Sequence, residues 1–330
     1  QRNPRDDGVP PLRRHPTDAK WTPDVIYRLA ELYFEKANDS YLVAVETFDE
    51  DMKAFERKEI AVAPTQPQQD YQASIDLYLR LNREFPNYRF LDGSLYLLGY
   101  CLNEMGQEME ARETFTALVC ANKHPPPTHF EPAAETGARK MPLAAQGSVG
   151  PFVDPYTDCQ PVTKDGRFNA EAWTRVGEYH FDYNELELSI AAYQKVLADK
   201  NSPYYDKALY KLAWAYYRSD RFLDGVREFD VLVKYADEQK EKTGKFGSEL
   251  RVEAIQYLGI SFAEEDWDGD TLPDDEQGIQ RIQKFYGGAR DKEPHVAEVY
   301  QRLGDIYFEI NKYPEAIAVY KLVLQKWPMR

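Results

Sequence analysis

Apolar residues recur along this chain at helical spacing, and one arrangement of them returns several times. Near the end of the sequence, 298-EVYQRLGDIYFEINKYPEAIAVYKLVLQKWP-328 places Tyr300, Leu303, Gly304 and Tyr307 on one face of a first helix. Ala316, Tyr320 and Val323 fall on one face of a second, and Pro328 follows. Small residues at 304 and 316 let two antiparallel helices approach closely, large ones fill the space around them, and the proline ends the unit.

The same register recurs at Leu95, Leu98, Gly99, Leu102, Ala111, Phe115 and Leu118, and at Trp173, Val176, Gly177, His180, Ser189, Tyr193 and Val196. It returns at Leu209, Leu212, Ala213, Tyr216, Gly225, Phe229 and Leu232. Two further copies are split. Ile26, Leu29, Ala30 and Tyr33 predict a first helix whose partner, Ser74, Tyr78, Leu81 and Pro86, comes about 32 residues late. Ile255, Leu258, Gly259 and Phe262 predict another, with Gly278, Ile282 and Phe285 about seven residues late. Residues 38–60 keep helical periodicity without glycine or proline, so the first helix continues, or a further helix follows it, before the loop APTQPQQ. Residues 121–168 are proline-rich with little periodicity and predict a long loop. The organisation expected is an extended tail over 1–22, a helical repeat segment with a helical insertion over 23–120, the Pro-rich loop over 121–168 and a repeat array over 169–330.

With these positions the chain resembles the tetratricopeptide repeat family over most of residues 23–328. The resemblance implies an all-α fold, a right-handed superhelix or α-solenoid of five to six helix pairs with a long Pro-rich loop insertion. It also implies a concave face, lined mainly by the first helix of each pair, that binds other proteins as peptide or helical segments. The corresponding positions here are Tyr96, Tyr100 and Asn103, then Glu171, Thr174, Glu178 and Phe181, then Lys207, Tyr210, Trp214 and Tyr217, then Glu298, Gln301, Asp305 and Phe308. Members that clamp a terminal carboxylate carry Lys, Arg and Asn there, and this chain mostly does not. Aromatic rings with polar tips suit a groove, so Tyr96, Tyr100, Asn103, Phe181, Tyr210, Trp214, Tyr217 and Phe308 form the candidate partner-binding set. The alternative is that these rings pack between neighbouring repeats.

Composition narrows the partners. Across 330 residues the formal net charge is −15, which opposes binding to phosphate backbones and anionic lipid surfaces. No apolar run reaches the roughly 18 to 20 residues of a membrane span. The chain begins at Gln1 with no signal sequence and reads as a mature or trimmed fragment. Three cysteines form no CxxC pattern; a Cys120–Cys159 bridge is expected, with Cys101 a buried free thiol, against the alternative of unpaired thiols in a cytosolic protein. A bridge implies an oxidising compartment.

The stretch 264-EEDWDGDTLPDDEQG-278 is the one candidate metal loop. Asp266, Asp268 and Asp270 alternate, Leu272 and Asp274 follow at the seventh and ninth positions, and Glu276 stands close to the twelfth, as in an oxygen cage for calcium. It resembles the DxDGDxLPD loops of thrombospondin type 3 repeats. Thr271 stands where a turn glycine is wanted, and Gln277 replaces the acidic twelfth residue. The alternative is a hydrated connector, with no cofactor at all.

No Walker loop, GxSxG, HExxH or GxGxxG occurs, and no catalytic set is expected. The phrases RLAELYFEKANDSY, YDKALYKLAWAYYR, LRVEAIQYLGISFAEEDWDGD and FNAEAWTRVGEYHFD are similar to bacterial envelope tetratricopeptide proteins, including those of myxobacterial gliding motility and outer-membrane assembly. That similarity implies a periplasmic or outer-membrane-associated, partner-organising role. The rival expectations are a glycan-associated scaffold in polysaccharide secretion and a cytosolic peptide receptor of the co-chaperone type.

Overall fold

A computed structural model describes residues 20–130, 152–244 and 247–328. Among these residues the chain is all-α, with twelve α-helices, one short 3-10 helix at Gly288–Lys292 and no strand. The helices come in six pairs: α1 (Thr22–Glu56) with α2 (Gln72–Glu84), α3 (Leu91–Glu104) with α4 (Glu108–Val119), and α5 (Asn169–Asp182) with α6 (Leu186–Val196). Then follow α7 (Tyr205–Arg218) with α8 (Phe222–Thr243), α9 (Arg251–Ala263) with α10 (Gly278–Phe285), and α11 (Val296–Glu309) with α12 (Tyr313–Lys326). Each pair is one copy of the repeated register, the two split copies included.

The chain divides into two compact units, one holding α1–α4 with residues 160–168, the other α5–α12 with residues 152–159. In each, a pair's helices pack on one another and a new first helix packs on the pair before it: α3 on α2 in the first unit, and α7 on α6, α9 on α8 and α11 on α9 and α10 in the second. The small residues do what their spacing predicts. A Cβ on Gly304 would come within 2.7 Å of the Tyr320 ring, and one on Gly177 would collide with Tyr193, so the large residue of the second helix lies directly over the small one of the first.

One register position also sets the turn. Seven residues beyond the small residue stand Gly106, Asn184, Asp220 and Asn311, all with φ between 57° and 72°. Only glycine, asparagine and aspartate enter this left-handed region readily. In each case the backbone N–H of the next residue closes on the carbonyl five residues back, as Lys312 does on Tyr307 at 2.8 Å and Arg221 on Tyr216 at 3.0 Å. Ala37 occupies this position in the first pair, no turn forms, and α1 runs on to Glu56. Asp266 occupies it in the fifth pair, and there the acidic insertion begins.

The insertion at 38–60 is thus a continuation of α1 as far as Glu56, from which residues 57–71 return to α2. Residues 1–19 of the expected tail and 131–151 of the expected Pro-rich loop lie outside the described residues. Of the rest, 160–162 are tied to the end of α4: Ala121 N–H donates to Gln160 O at 2.8 Å, Gln160 N–H to Asn122 Oδ1 at 2.8 Å, and Val162 N–H to Leu118 O at 2.9 Å. Cys120 and Cys159 are disulfide-bonded, and Cys101 is a buried free thiol.

Candidate functional site

Tyr210, Trp214 and Tyr217 are spaced four and three apart and so lie along one face of α7. With Phe181 from the end of α5 and Tyr193 from α6, Tyr210 and Trp214 line an open cleft of about 360 Å³, rimmed by Lys211 and Arg218. Its walls are mainly aromatic carbon, and each wall is held from behind. Trp214 meets the Tyr257 ring of α9 edge-on at 4.4 Å and the Tyr217 ring at 5.6 Å. Arg218 lies over the Phe181 ring at 4.4 Å while donating to Phe181 O at 3.3 Å and Asn184 Oδ1 at 2.8 Å. Lys211 pairs with Glu178 at 2.9 Å.

The tyrosine tips do not all face water, as the sequence pattern suggests. Tyr210 Oη donates to Glu253 Oε2 at 2.8 Å, and Tyr217 Oη donates to Glu264, both in the next pair. Burial, followed by the Glu253 carboxylate among the causes that raise it, pushes the Tyr210 phenol up to about 12. It therefore stays a neutral donor at any physiological pH. Tyr210 thus both braces the repeat stack and lines the cleft, whereas Tyr217 braces the stack without lining it.

The rest of the candidate set is dispersed. In the first unit Tyr96 stacks on Phe168 at 4.3 Å, a residue that register alone could not place, and Tyr100 packs edge-on against Phe34 at 5.7 Å. Asn103 donates to its neighbour Glu104 at 3.2 Å. In the second unit Phe308 is exposed, with its edge to Tyr313, and does not line the cleft. Thr174 is buried, with its hydroxyl on Ala170 O at 2.8 Å. A wider depression of about 760 Å³ in the first unit is lined by Gln72, Asp76, Arg83, Glu110 and His129 among others, and presents a much more polar wall.

The acidic loop folds on its own carboxylates. Asp266 accepts from the backbone N–H groups of Gly269, Asp270 and Thr271 at 2.8 to 3.0 Å, Asp268 from Asp270 at 3.2 Å, and Asp270 from Leu272 at 2.9 Å. Asp266, Asp268 and Asp274 bring one oxygen each within 4.8 Å of one another. Asp270 turns to its own Asx bond, Leu272 is exposed, and Glu276 pairs with Lys284 at 3.7 Å. A buried cation is already present: Arg281 donates to the carbonyls of Glu264 and Glu265 and lies 3.3 Å from Asp274 Oδ2.

Two buried polar clusters in the second unit were not legible as such. Asp230 accepts from Tyr286 Oη at 2.9 Å, His295 Nε2 at 2.8 Å and Arg290 at 2.6 Å, with Lys234 at 3.1 Å. Glu293 stands beside it, so three metal-ligand types converge, but Lys234 and Arg290 already supply the positive charge a metal would bring. Tyr156 Oη meets His180 Nε2 at 2.5 Å, and His180 Nδ1 meets Glu185 at 2.6 Å, fixing residues 152–159 against α5. Both clusters join residues far apart in sequence.

Paired antiparallel helices stacked on a fixed small-large register define a helical-repeat interaction scaffold. Residues 94–119 and 297–325 match models of the tetratricopeptide repeat, and the chain carries such repeats at both places. Solved structures with a similar arrangement include a tetratricopeptide repeat protein from Parabacteroides merdae, at 14% identity over 87% of this chain and 80% of that one, with a TM-score of 0.38. Another is the C-terminal part of a TPR repeat-containing protein from Cytophaga hutchinsonii, at 15% identity over 92% of this chain and 96% of that one, with a TM-score of 0.37. A comparison with curated proteins gives no match. Repeats of this kind bind other proteins and are typically non-catalytic. Among the described residues no helix is long and apolar enough to cross a membrane.

Proposed function

We propose that this chain is a non-enzymatic scaffold of a bacterial cell-envelope complex, in the periplasm or at the outer membrane, serving motility or outer-membrane assembly. In this reading it grips a segment of a partner protein in the Phe181–Tyr210–Trp214 cleft. The observation that carries it is the cleft itself: open, aromatic and braced from behind by the next pair, so that little side-chain freedom is lost when a ligand enters. The disulfide supports an oxidising compartment. Capture from an envelope fraction with native protein and with Trp214→Ala tests the reading. The variant is expected to lose its protein partner by at least about tenfold, as for a central aromatic anchor. Equal recovery by both proteins overturns the cleft as the binding site. Binding of a soluble oligosaccharide, abolished in the same variant, gives the cleft to glycans instead.

We propose further that the acidic loop holds calcium weakly, through Asp266, Asp268 and Asp274. Their convergence supports this, and with Arg281 beside Asp274 and no twelfth carboxylate the affinity expected is near the millimolar end of the calcium range. With a Kd of about 1 mM, 10 mM calcium stabilises the fold by about 1.4 kcal/mol. The expected result is a melting temperature raised by calcium, reversed by chelator and insensitive to calcium in Asp268→Asn. No rise in the native protein leaves Arg281 as the only cation that organises the loop.

A further inference from the structure

The aromatic cleft of α5, α6 and α7 is short of one hydrogen-bond partner. Tyr193 lines it and is fully buried, yet its hydroxyl makes no hydrogen bond among the described residues. The repeat register shows why. In the last pair the equivalent Tyr320 donates at 2.7 Å to Asp305, the residue after the small Gly304. Glu178 holds that place in the third pair, but it turns to Lys211 at 2.9 Å and Arg175 at 3.5 Å. The Ser189 hydroxyl, one helical turn before Tyr193, lies near enough to lower the phenol's pKa but is itself unbonded. Burial outweighs it and holds the phenol far above its ordinary value, so the hydroxyl keeps its proton at any physiological pH. Tyr78 and Tyr300 also bury an unbonded hydroxyl, but neither lines this cleft.

The lining decides what can enter. Tyr193, Lys211, Trp214 and Arg218 carry N–H or O–H groups, Tyr210 gives its own to Glu253, and none of the six lining residues has a carboxylate or amide side chain. The cleft therefore offers donors and lacks acceptors. It does not call for a charged ligand either. The cations Lys211 and Arg218 at the rim are offset by Glu178 and Asp182, whose charges both act on the Tyr193 phenol, and by Glu253 behind Tyr210. An ordinary extended backbone would turn N–H groups toward aromatic walls with nothing to accept them, at a cost. A helix has already paired its interior carbonyls and would leave Tyr193 unmet. Sugar hydroxyls must donate as well as accept. A proline-containing segment escapes all three difficulties. Its ring nitrogen carries no hydrogen, its carbonyls stay unpaired in the polyproline II conformation, and such segments dock in aromatic-lined grooves. We propose, resting on the reading of the cleft as the partner-binding site, that it selects a proline-containing extended segment of a partner protein, one carbonyl of which accepts from Tyr193 Oη.

Calorimetric titration with a blocked decaproline peptide tests the proposal, against a blocked alanine-rich helical peptide of equal length. Native protein is expected to bind decaproline and not the helix, and Trp214→Ala to bind neither. Tyr193→Phe removes only a hydroxyl without a partner in the fold. Its melting temperature is expected to equal or exceed the native one, while its affinity for decaproline falls by about tenfold. No binding of decaproline by native protein at millimolar peptide, tighter binding of the helix, or native affinity in Tyr193→Phe overturns the proposal. A lower melting temperature in Tyr193→Phe overturns it as well, by giving the hydroxyl a partner within the fold. The cleft itself is judged separately. If Trp214→Ala loses its captured envelope partner while decaproline does not bind, the partner-binding cleft stands and only its selection of proline falls. Equal capture by native protein and Trp214→Ala removes both.

Discussion

Asp230→Ala is expected to destabilise the second unit by about 3 kcal/mol, read as a fall in the urea midpoint with little change in slope. The carboxylate is 3% exposed and holds together groups from three places: Lys234 on its own helix, Tyr286 and Arg290 after α10, and His295 at the start of α11. Truncation leaves two cations, a phenol and an imidazole without their shared acceptor in a packed interior, and desolvated groups left unpaired cost more than the bonds they made. Partial exposure of Lys234 and Arg290, both about a third open to water, keeps the figure at the low end of the buried-pair range. The same carboxylate sets a pH response. Burial alone would raise its pKa, but hydrogen bonds from His295 and Lys234 and the charges of Lys234 and Arg290 outweigh burial and hold it below the ordinary aspartate value. Its contribution is therefore fully present above about pH 4 and is lost as the pH falls through the folded value. In Asp230→Asn that part of the acid transition is expected to vanish, whereas native-like acid sensitivity in the variant would assign the transition to other carboxylates.

Reduction of the disulfide, or Cys120→Ser with Cys159→Ser, is expected to lower stability by about 4 kcal/mol, the chain-entropy value for a closed loop of about 40 residues. The hydrogen bonds of residues 160–162 to the end of α4, and that of Tyr156 to His180, do not involve the sulfurs and are expected to survive reduction. Those local contacts hold the folded geometry while the unfolded chain gains freedom, so the loss should appear as a lower midpoint with native helix content retained at 25 °C. A thiol count on denatured, unreduced protein gives one reactive group, Cys101. A count of three would remove both the bridge and the argument for an oxidising compartment.

The pairing of helices was legible because close approach needs a small residue opposite a large one at fixed spacing, and Gly99, Gly177 and Gly304 announce it. The turn signal was also present in the letters, as Gly106, Asn184, Asp220 and Asn311 at one register position, and it explains why α1 does not stop where Ala37 stands. The site was legible only in part. Period alone puts Tyr210 and Trp214 on one face of α7, but it cannot show that Tyr210 and Tyr217 spend their hydroxyls on Glu253 and Glu264 of the next pair. Contacts between segments far apart in sequence, such as Tyr96 with Phe168 or Asp230 with His295, carry no local signature at all.

The length of α1 has a consequence of its own. At 35 residues it spans about 52 Å, against about 20 Å for the 13-residue α2 beside it. The Tyr71 hydroxyl still reaches Asn38; beyond that point Tyr41, Val45, Phe48 and Phe55 are half-buried, and the return segment 57–71 forms no helix. The 13-residue α2 is too short to run the whole length of this helix. The backbone amides of the spur beyond Asn38 should open to solvent in a subglobal step of low free energy, leaving the repeats below it intact. The spur is thus expected to melt, be nicked or be lengthened without disturbing the helix pairs.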